Sequence, residues 1–187
     1  MEIFYERLSL LLLLLLSKLS ISLTQQSTDV SRDKSAGQSS TDSPSSDYFA
    51  DLAVDGSDST CSQTIVQQQN PYYWFVDLGD IYSVNYVLIY PENGNQASLI
   101  DTEVYVEKTY AVPSSSSSNL CGSTITTSTM LRSSSYYFIN CIPSINGRYV
   151  FLYRSGTNNM KLTLCEVLVY GGTNIHFFFV ESLACFC

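Results

Sequence analysis

Short stretches in which apolar and polar residues alternate recur along this chain, and a period of two is the mark of a strand with one face buried. The runs are WFVDLGD (74–80), SVNYVLIY (83–90), TEVYVEK (102–108), SYYFINC (135–141), GRYVFLY (147–153) and LTLCEVLVY (162–170). Between them lie DGSDS, QQQNP, PENGN, PSSSSSN, PSING and RSGTNN, clusters of Gly, Pro, Asn and Ser that form turns. No long apolar stripe at the 3.6-residue helical period is present. Many short strands without helices predict an all-β domain, an antiparallel β-sandwich or jelly roll.

One run carries a chemical oddity. In KLTLCEVLVYGG (161–172), unbroken alternation puts Leu162, Leu164, Glu166, Leu168 and Tyr170 on one face and Thr163, Cys165, Val167 and Val169 on the other. A carboxylate then sits in a row of leucines. Burying an unpaired charge costs several kcal/mol, so Glu166 must be neutralised, hydrogen-bonded, bound to a metal, or placed where the strand leaves the core.

At 187 residues and 45% apolar content the chain suits one ordinary domain with appendages. The start, MEIFYERLSLLLLLLLSKLSISLTQQ, has Arg7, an apolar run and then a polar stretch, and reads as a secretory signal peptide over residues 1–24. The apolar run is broken by Lys18 and is shorter than the roughly 20 residues a membrane-spanning helix needs, so no transmembrane span is expected. The product is expected to be secreted and extracellular. Removing Glu2, Glu6, Arg7 and Lys18 leaves 7 basic against 15 acidic residues (9 − 2 and 17 − 2), and the formal charge stays at −8. An acidic chain with scattered cations offers no phosphate-binding face, which argues against nucleic acid and anionic membrane as partners.

In a secreted chain six cysteines imply disulfides. Cys61, Cys121, Cys141 and Cys165 lie in the body, and four cysteines allow three pairings that spacing alone does not choose between. Cys185 and Cys187 lie in a short apolar tail, residues 172–187, which reads as a stray terminal strand or the stump of a further Cys-rich module. No Asn-x-Ser/Thr acceptor is present. On composition alone the Ser-rich stretch 27–46 reads as a linker.

Taken together and in order, LAVDG (52–56), TCSQT (60–64), NPYYWFVDLGDIYSV (70–84), EVYV (103–106), GRYV (147–150) and LTLCEVLVYG (162–171) resemble the F-type lectins. These fucolectin and tachylectin-like domains are related to the discoidin domains of coagulation factors. VSRDKSAGQSST (30–41) echoes the family's opening, which makes that stretch the first strand of a domain spanning 28–171. The resemblance implies a discoidin-like jelly roll of about eight strands, disulfide-linked through Cys61–Cys165 and Cys121–Cys141. It also implies a structural calcium ion beside the first bridge. Carried over, its ligands are the Leu52 carbonyl, Asp55, Ser57, Thr60, the Cys165 carbonyl and the Glu166 carboxylate, an all-oxygen set of the kind calcium takes. Ser57 departs from the amide usual there, and Asp58 is a substitute. The plainer alternative is that Asp55 caps a tight turn while Glu166 forms a salt bridge or faces water.

The family's sugar site is where the match breaks. Its fucose-holding His, Arg and second cation fall at Gln63, Glu92 and Leu99, and its vicinal cysteines at Asn95 and Gln96. The one histidine, His176, is in the tail, and no arginine lies between Arg32 and Arg132. An ionised Glu only accepts hydrogen bonds and a Leu does neither, so fucose recognition of the family's kind is expected to be lost. Gln63, Glu92, Asn93 and Asn95, with Tyr72 or Tyr73 nearby, form either a site for another sugar or an ordinary polar rim. Trp74 and the tyrosines read as core and strand-face packing, Asp77 as a turn acceptor, and Arg148 as a partner within the fold. No nucleophile stands beside a base, and the carboxylates, Glu92 with Asp101 or Asp77 with Asp80, lack a supporting pattern, so no enzyme is expected. The expected function is a calcium-binding, lectin-like carbohydrate-recognition module with a degenerate fucose site. The alternative is an extracellular protein-interaction or receptor-ectodomain module. Glycans or an extracellular protein are the expected partners.

Overall fold

The structure is a computed structural model that describes residues 26–42, 46–66, 71–114, 116–127, 135–155 and 160–172. The signal-peptide reading (1–24) and the tail, with His176, Cys185 and Cys187, lie outside the described residues. Among those described, no helix is long and apolar enough to cross a membrane.

The described residues form nine antiparallel strands: β1 (Thr28–Asp29), β2 (Ser35–Gln38), β3 (Ser62–Gln63), β4 (Tyr72–Tyr90), β5 (Glu103–Glu107), β6 (Leu120–Cys121), β7 (Tyr137–Arg154), β8 (Thr163–Leu164) and β9 (Glu166–Gly172). The resemblance-based strand in 30–41 is β2, which pairs with β4 from Ser35↔Asp77 to Gln38↔Trp74. The largest surprise is β4 and β7. The sequence reads four separate strands there, but DLGD and PSING bend the chain without reversing it. Two continuous strands of 19 and 18 residues result, paired with one another along their length.

Those two strands build the sandwich. The first half of β4 lies between β2 and the second half of β7, which also carries β5. The second half of β4 lies between β9 and the first half of β7. Register shifts between Asp77 and Tyr82, and between Val84 and Tyr86, mark the corner. The inward phase changes across it: Trp74, Val76 and Leu78 are buried before the bend, Val87 and Ile89 after it. Val84 is still buried in the first phase, so it is the irregularity between Val84 and Tyr86 that turns the following side chains over and lets one strand serve two packed layers.

The core between the layers includes Trp74, Val76, Val87, Ile89, Val104, Leu152, Leu164 and Val167. The Trp74 indole N–H donates to the Ala50 carbonyl at 2.9 Å, so the largest buried side chain leaves no donor unpaired. A second, aromatic layer covers the outside of the β4–β7–β5 sheet. Phe151 is fully buried there beneath Tyr73, Phe75, Tyr105, Tyr149 and Tyr153. The tyrosines thus pack on core and strand faces as expected. Among the described residues the disulfides are Cys61–Cys165 and Cys121–Cys141, with sequence separations of 104 and 20.

Candidate functional site

The corner around Glu166 is assembled from distant parts of the sequence. β8 and β9 are interrupted at Cys165, whose N–H donates to the Tyr90 carbonyl at 2.8 Å. The break resets the alternation. Leu162, Leu164, Val167 and Val169 enter the core, whereas Leu168 and Tyr170 lie on the half-buried outer face. Glu166 therefore does not sit in a row of core leucines; it opens β9, opposite Tyr90.

Cys165 is tied to Cys61, which places the 55–60 turn beside Glu166. The Asp55 carboxylate accepts from the Ser57 N–H at 2.8 Å and from the Thr60 hydroxyl at 2.7 Å, bracing the turn. Gly56, at φ +87, donates its N–H to Glu166 Oε2 at 3.0 Å. That conformation is one an L side chain rarely adopts, which gives the glycine of the Asp-Gly turn a defined purpose. Leu52 belongs to the short 3-10 turn Ala50–Ala53 just before it. Asp55, Ser57, Thr60, Cys165 and Glu166 are thus brought together.

Glu166 is 5% exposed, and its Oε1 is buried without a hydrogen-bond partner. Burial pushes its carboxyl up to about 7, helped by the nearby Asp55 and Asp29 charges and opposed by the Gly56 hydrogen bond and the charge of Arg32. A pocket beside it is lined by Arg32, Gly56, Ser57, Asp58, Tyr90 and Glu166. Among the described residues no three His, Cys, Asp or Glu side chains are grouped for a metal. A cation here would rely on the carboxylates together with hydroxyl and carbonyl oxygens. That hard, all-oxygen donor set and the unpartnered buried carboxylate oxygen fit calcium, and no soft ligand is within it that would favour a transition metal.

At the candidate sugar rim the residues fall into two groups. Gln63, in β3, has its amide engaged at both ends: Nε2 donates to Thr163 Oγ1 at 3.0 Å and Oε1 accepts from Lys161 Nζ at 3.1 Å. Lys161 also pairs with Asp42 at 2.5 Å. Glu92 and Asn93, both exposed, and the half-buried Asn95 form a turn in which Asn95 Nδ2 donates to Glu92 at 3.0 Å. Arg154, at the end of β7, connects the surroundings of both. Its guanidinium donates to the Ser98 carbonyl at 2.5 Å and to the Met160 carbonyl, and lies 4.8 Å from the Tyr72 ring centroid. Lys161 and Arg154 are the cations that aligned positions do not reveal, because Arg154 ends β7 and Lys161 lies between β7 and β8, away from the loops where the family carries its own. Arg154 ends an apolar strand, GRYVFLYR, which is the one signal that a charge enters the interior there.

Asp77 accepts from the Gly79 N–H at 2.9 Å and pairs with Arg148 at 2.6 and 2.8 Å, the intramolecular roles expected of both.

The family model described as the NedA-like, galactose-binding domain matches residues 52–152, more than half of the chain. The chain belongs to that family. No curated protein sequence matches it. This galactose-binding-like domain is similar in structure to the lectin domain of lectinolysin complexed with Lewis B antigen, at 23% identity and TM-score 0.59, covering 78% of this chain and 98% of that one. It is similar to a fucolectin from striped bass (Morone saxatilis) serum at 20% identity and TM-score 0.59, covering 80% of this chain and 50% of that one. A third likeness is chitosan-binding module 2 of a chitosanase/glucanase from Paenibacillus sp. IK-5, in complex with chitotriose. Here identity is 19% and TM-score 0.57, covering 76% of this chain and 100% of the module. The fold of carbohydrate-binding, lectin-like modules is therefore the fold of this domain, and the F-type lectin resemblance read from the sequence is borne out.

Proposed function

We propose that this domain is a secreted, non-enzymatic carbohydrate-recognition module, stabilised by one calcium ion and selective for a glycan that it does not hold in the fucose manner of its relatives. The observation that supports it most is the pairing of a carbohydrate-module fold with Gln63, Glu92 and Leu99 at the positions where F-type lectins carry cationic and imidazole donors. The rim that remains mixes donors and acceptors: Gln63 and Lys161 on one side, Glu92, Asn93 and Asn95 on the other. Neutral sugar hydroxyls suit such a mixture, since each donates and accepts. Calcium bound by Asp55, Ser57, Thr60 and Glu166, with the Leu52 and Cys165 carbonyls, would neutralise the corner behind β9 and hold the 55–60 turn to it.

The test is a glycan array probed with the oxidised secreted chain, in calcium and again in EDTA, with free L-fucose as competitor. Calcium-dependent binding to a non-fucosylated glycan, lost in Lys161→Ala, is the expected result. Fucose-inhibited binding would overturn the degenerate-site reading. A second reading, recognition of an extracellular protein, is favoured by the exposed apolar side chains at the start of β7, where Tyr136, just before the strand, and Phe138 and Ile142 within it are 41%, 54% and 81% exposed. Silence across the array would leave that reading in possession.

A further inference from the structure

Arg32 lies against the turn that holds Glu166. A Cβ built on Gly56 would meet Arg32 Nη1 at 1.3 Å and Cζ at 2.5 Å, so the guanidinium occupies the space that the glycine leaves open. The same glycine donates its N–H to Glu166 Oε2. Arg32 and Glu166 both line the pocket at this corner, together with Asp58. The ion pair that Arg32 makes is with Asp29, long at 3.9 Å, and its side chain is 49% exposed, so it is weakly committed where it stands. Glu166, buried and with Oε1 unpartnered, is the group in this pocket that most needs a positive charge.

We propose that the Arg32 guanidinium and a divalent cation are alternative counter-ions of Glu166, so that Arg32 sets how strongly this corner takes up metal. The inference rests on the calcium reading above. A calcium ion sits about 2.3–2.6 Å from its oxygens. With a guanidinium already against Gly56, two positive groups would then stand a few ångströms apart on the same acidic wall, and they repel. Metal entry pushes the half-exposed arginine farther from Glu166; without metal it stays against Gly56, paired with Asp29 and with its charge still acting on Glu166. The corner therefore keeps a counter-charge in both states.

The experiment uses the full secreted chain with its disulfides formed, titrated with calcium by calorimetry and with terbium by luminescence. Arg32→Gln is expected to bind calcium at least about tenfold more tightly than the wild type. It should also melt lower in EDTA and recover in calcium. Arg32→Lys keeps the charge and should stay within about threefold of the wild type. Equal calcium affinity in wild type and Arg32→Gln overturns the competition while leaving the calcium site standing, and an Arg32→Lys affinity as high as that of Arg32→Gln also overturns it. If neither chain binds calcium, the site itself is absent and the competition falls with it. Should Arg32→Gln fail to fold, the Arg32 Nε–H resonance of the wild type decides: calcium must shift it and speed its solvent exchange, and an unmoved resonance overturns the proposal.

Discussion

Glu166 shows how a single buried carboxyl links pH and stability and, with the calcium site proposed above, metal as well. Without a cation its carboxyl is pushed up to about 7 from an ordinary 4.5, chiefly by burial, with Asp55 and Asp29 adding to the effect and the Gly56 N–H and Arg32 opposing it. The folded chain then binds the proton more tightly than the unfolded chain does. The stability Glu166 contributes is fully present below about pH 4.5 and is lost as pH rises through about 7. In EDTA, melting temperature should fall between pH 5 and 8 by the equivalent of on the order of 1–3 kcal/mol. Glu166→Gln should flatten that fall and also remove the gain that calcium is expected to give the wild type. Differential scanning calorimetry of both chains in EDTA and in calcium reads it, and a Glu166→Gln chain that calcium still stabilises would rule out Glu166 as a ligand. The sequence raises the question of this residue but not its answer. Period-two alternation assumes an unbroken strand, and the break at Cys165, which moves Glu166 out of the leucine row, is imposed by the disulfide and by the Cys165 N–H bond to Tyr90.

At the scale of elements, the runs that the sequence marks as strands are strands, and what it hides is their continuity. PSING and DLGD carry the residues of a reversal. The chain bends at them because the partner strand bends in step, and such cross-strand support is invisible to a local reading. Gly147 marks one such place of close approach: a Cβ there would lie 2.6 Å from Val106 Cγ1 and 2.9 Å from the Glu107 carbonyl oxygen. Backbone cannot give way as a side-chain end can, so Gly147→Ala should destabilise the domain by about 1–3 kcal/mol in urea unfolding. Gly94, with nothing within 4 Å of its Cβ position, is the spatial contrast; its φ of +81 confines the cost of Gly94→Ala to local strain. Arg154 acts between elements as well. It is fully buried and bridges the Ser98 and Met160 carbonyls, and burial lowers the pKa of its guanidinium. Arg154→Met would leave both carbonyls without this partner, and the expected loss is about 2–4 kcal/mol. The 96–99 turn should exchange its amides faster, read by hydrogen exchange, while β9 is unaffected.

Across the whole molecule, the two disulfides make nested loops and divide the work unequally. Cys121–Cys141 closes 20 residues, and Cys61–Cys165 closes 104, joining the turn after the first strands to the last strand. In the loop-closure account that difference is roughly 3 against 4.7 kcal/mol of denatured-state entropy. The outer bridge also has a second consequence, because Asp55 and Thr60 come from one side of it and Glu166 from the other. Without the bridge the two halves of the corner would be joined only by the Gly56 bond to Glu166 and the strand pairing around it. Replacing Cys61 and Cys165 together by Ala should therefore cost about 3–5 kcal/mol and weaken calcium binding. The Cys121/Cys141 double Ala chain should cost less and bind calcium as the wild type does. Unfolding in urea and calcium titration of the two double variants separate these effects. If the outer-bridge variant loses stability but keeps its calcium affinity, the Gly56–Glu166 contact alone aligns the corner, and the disulfide is a staple for the fold with no part in shaping the site.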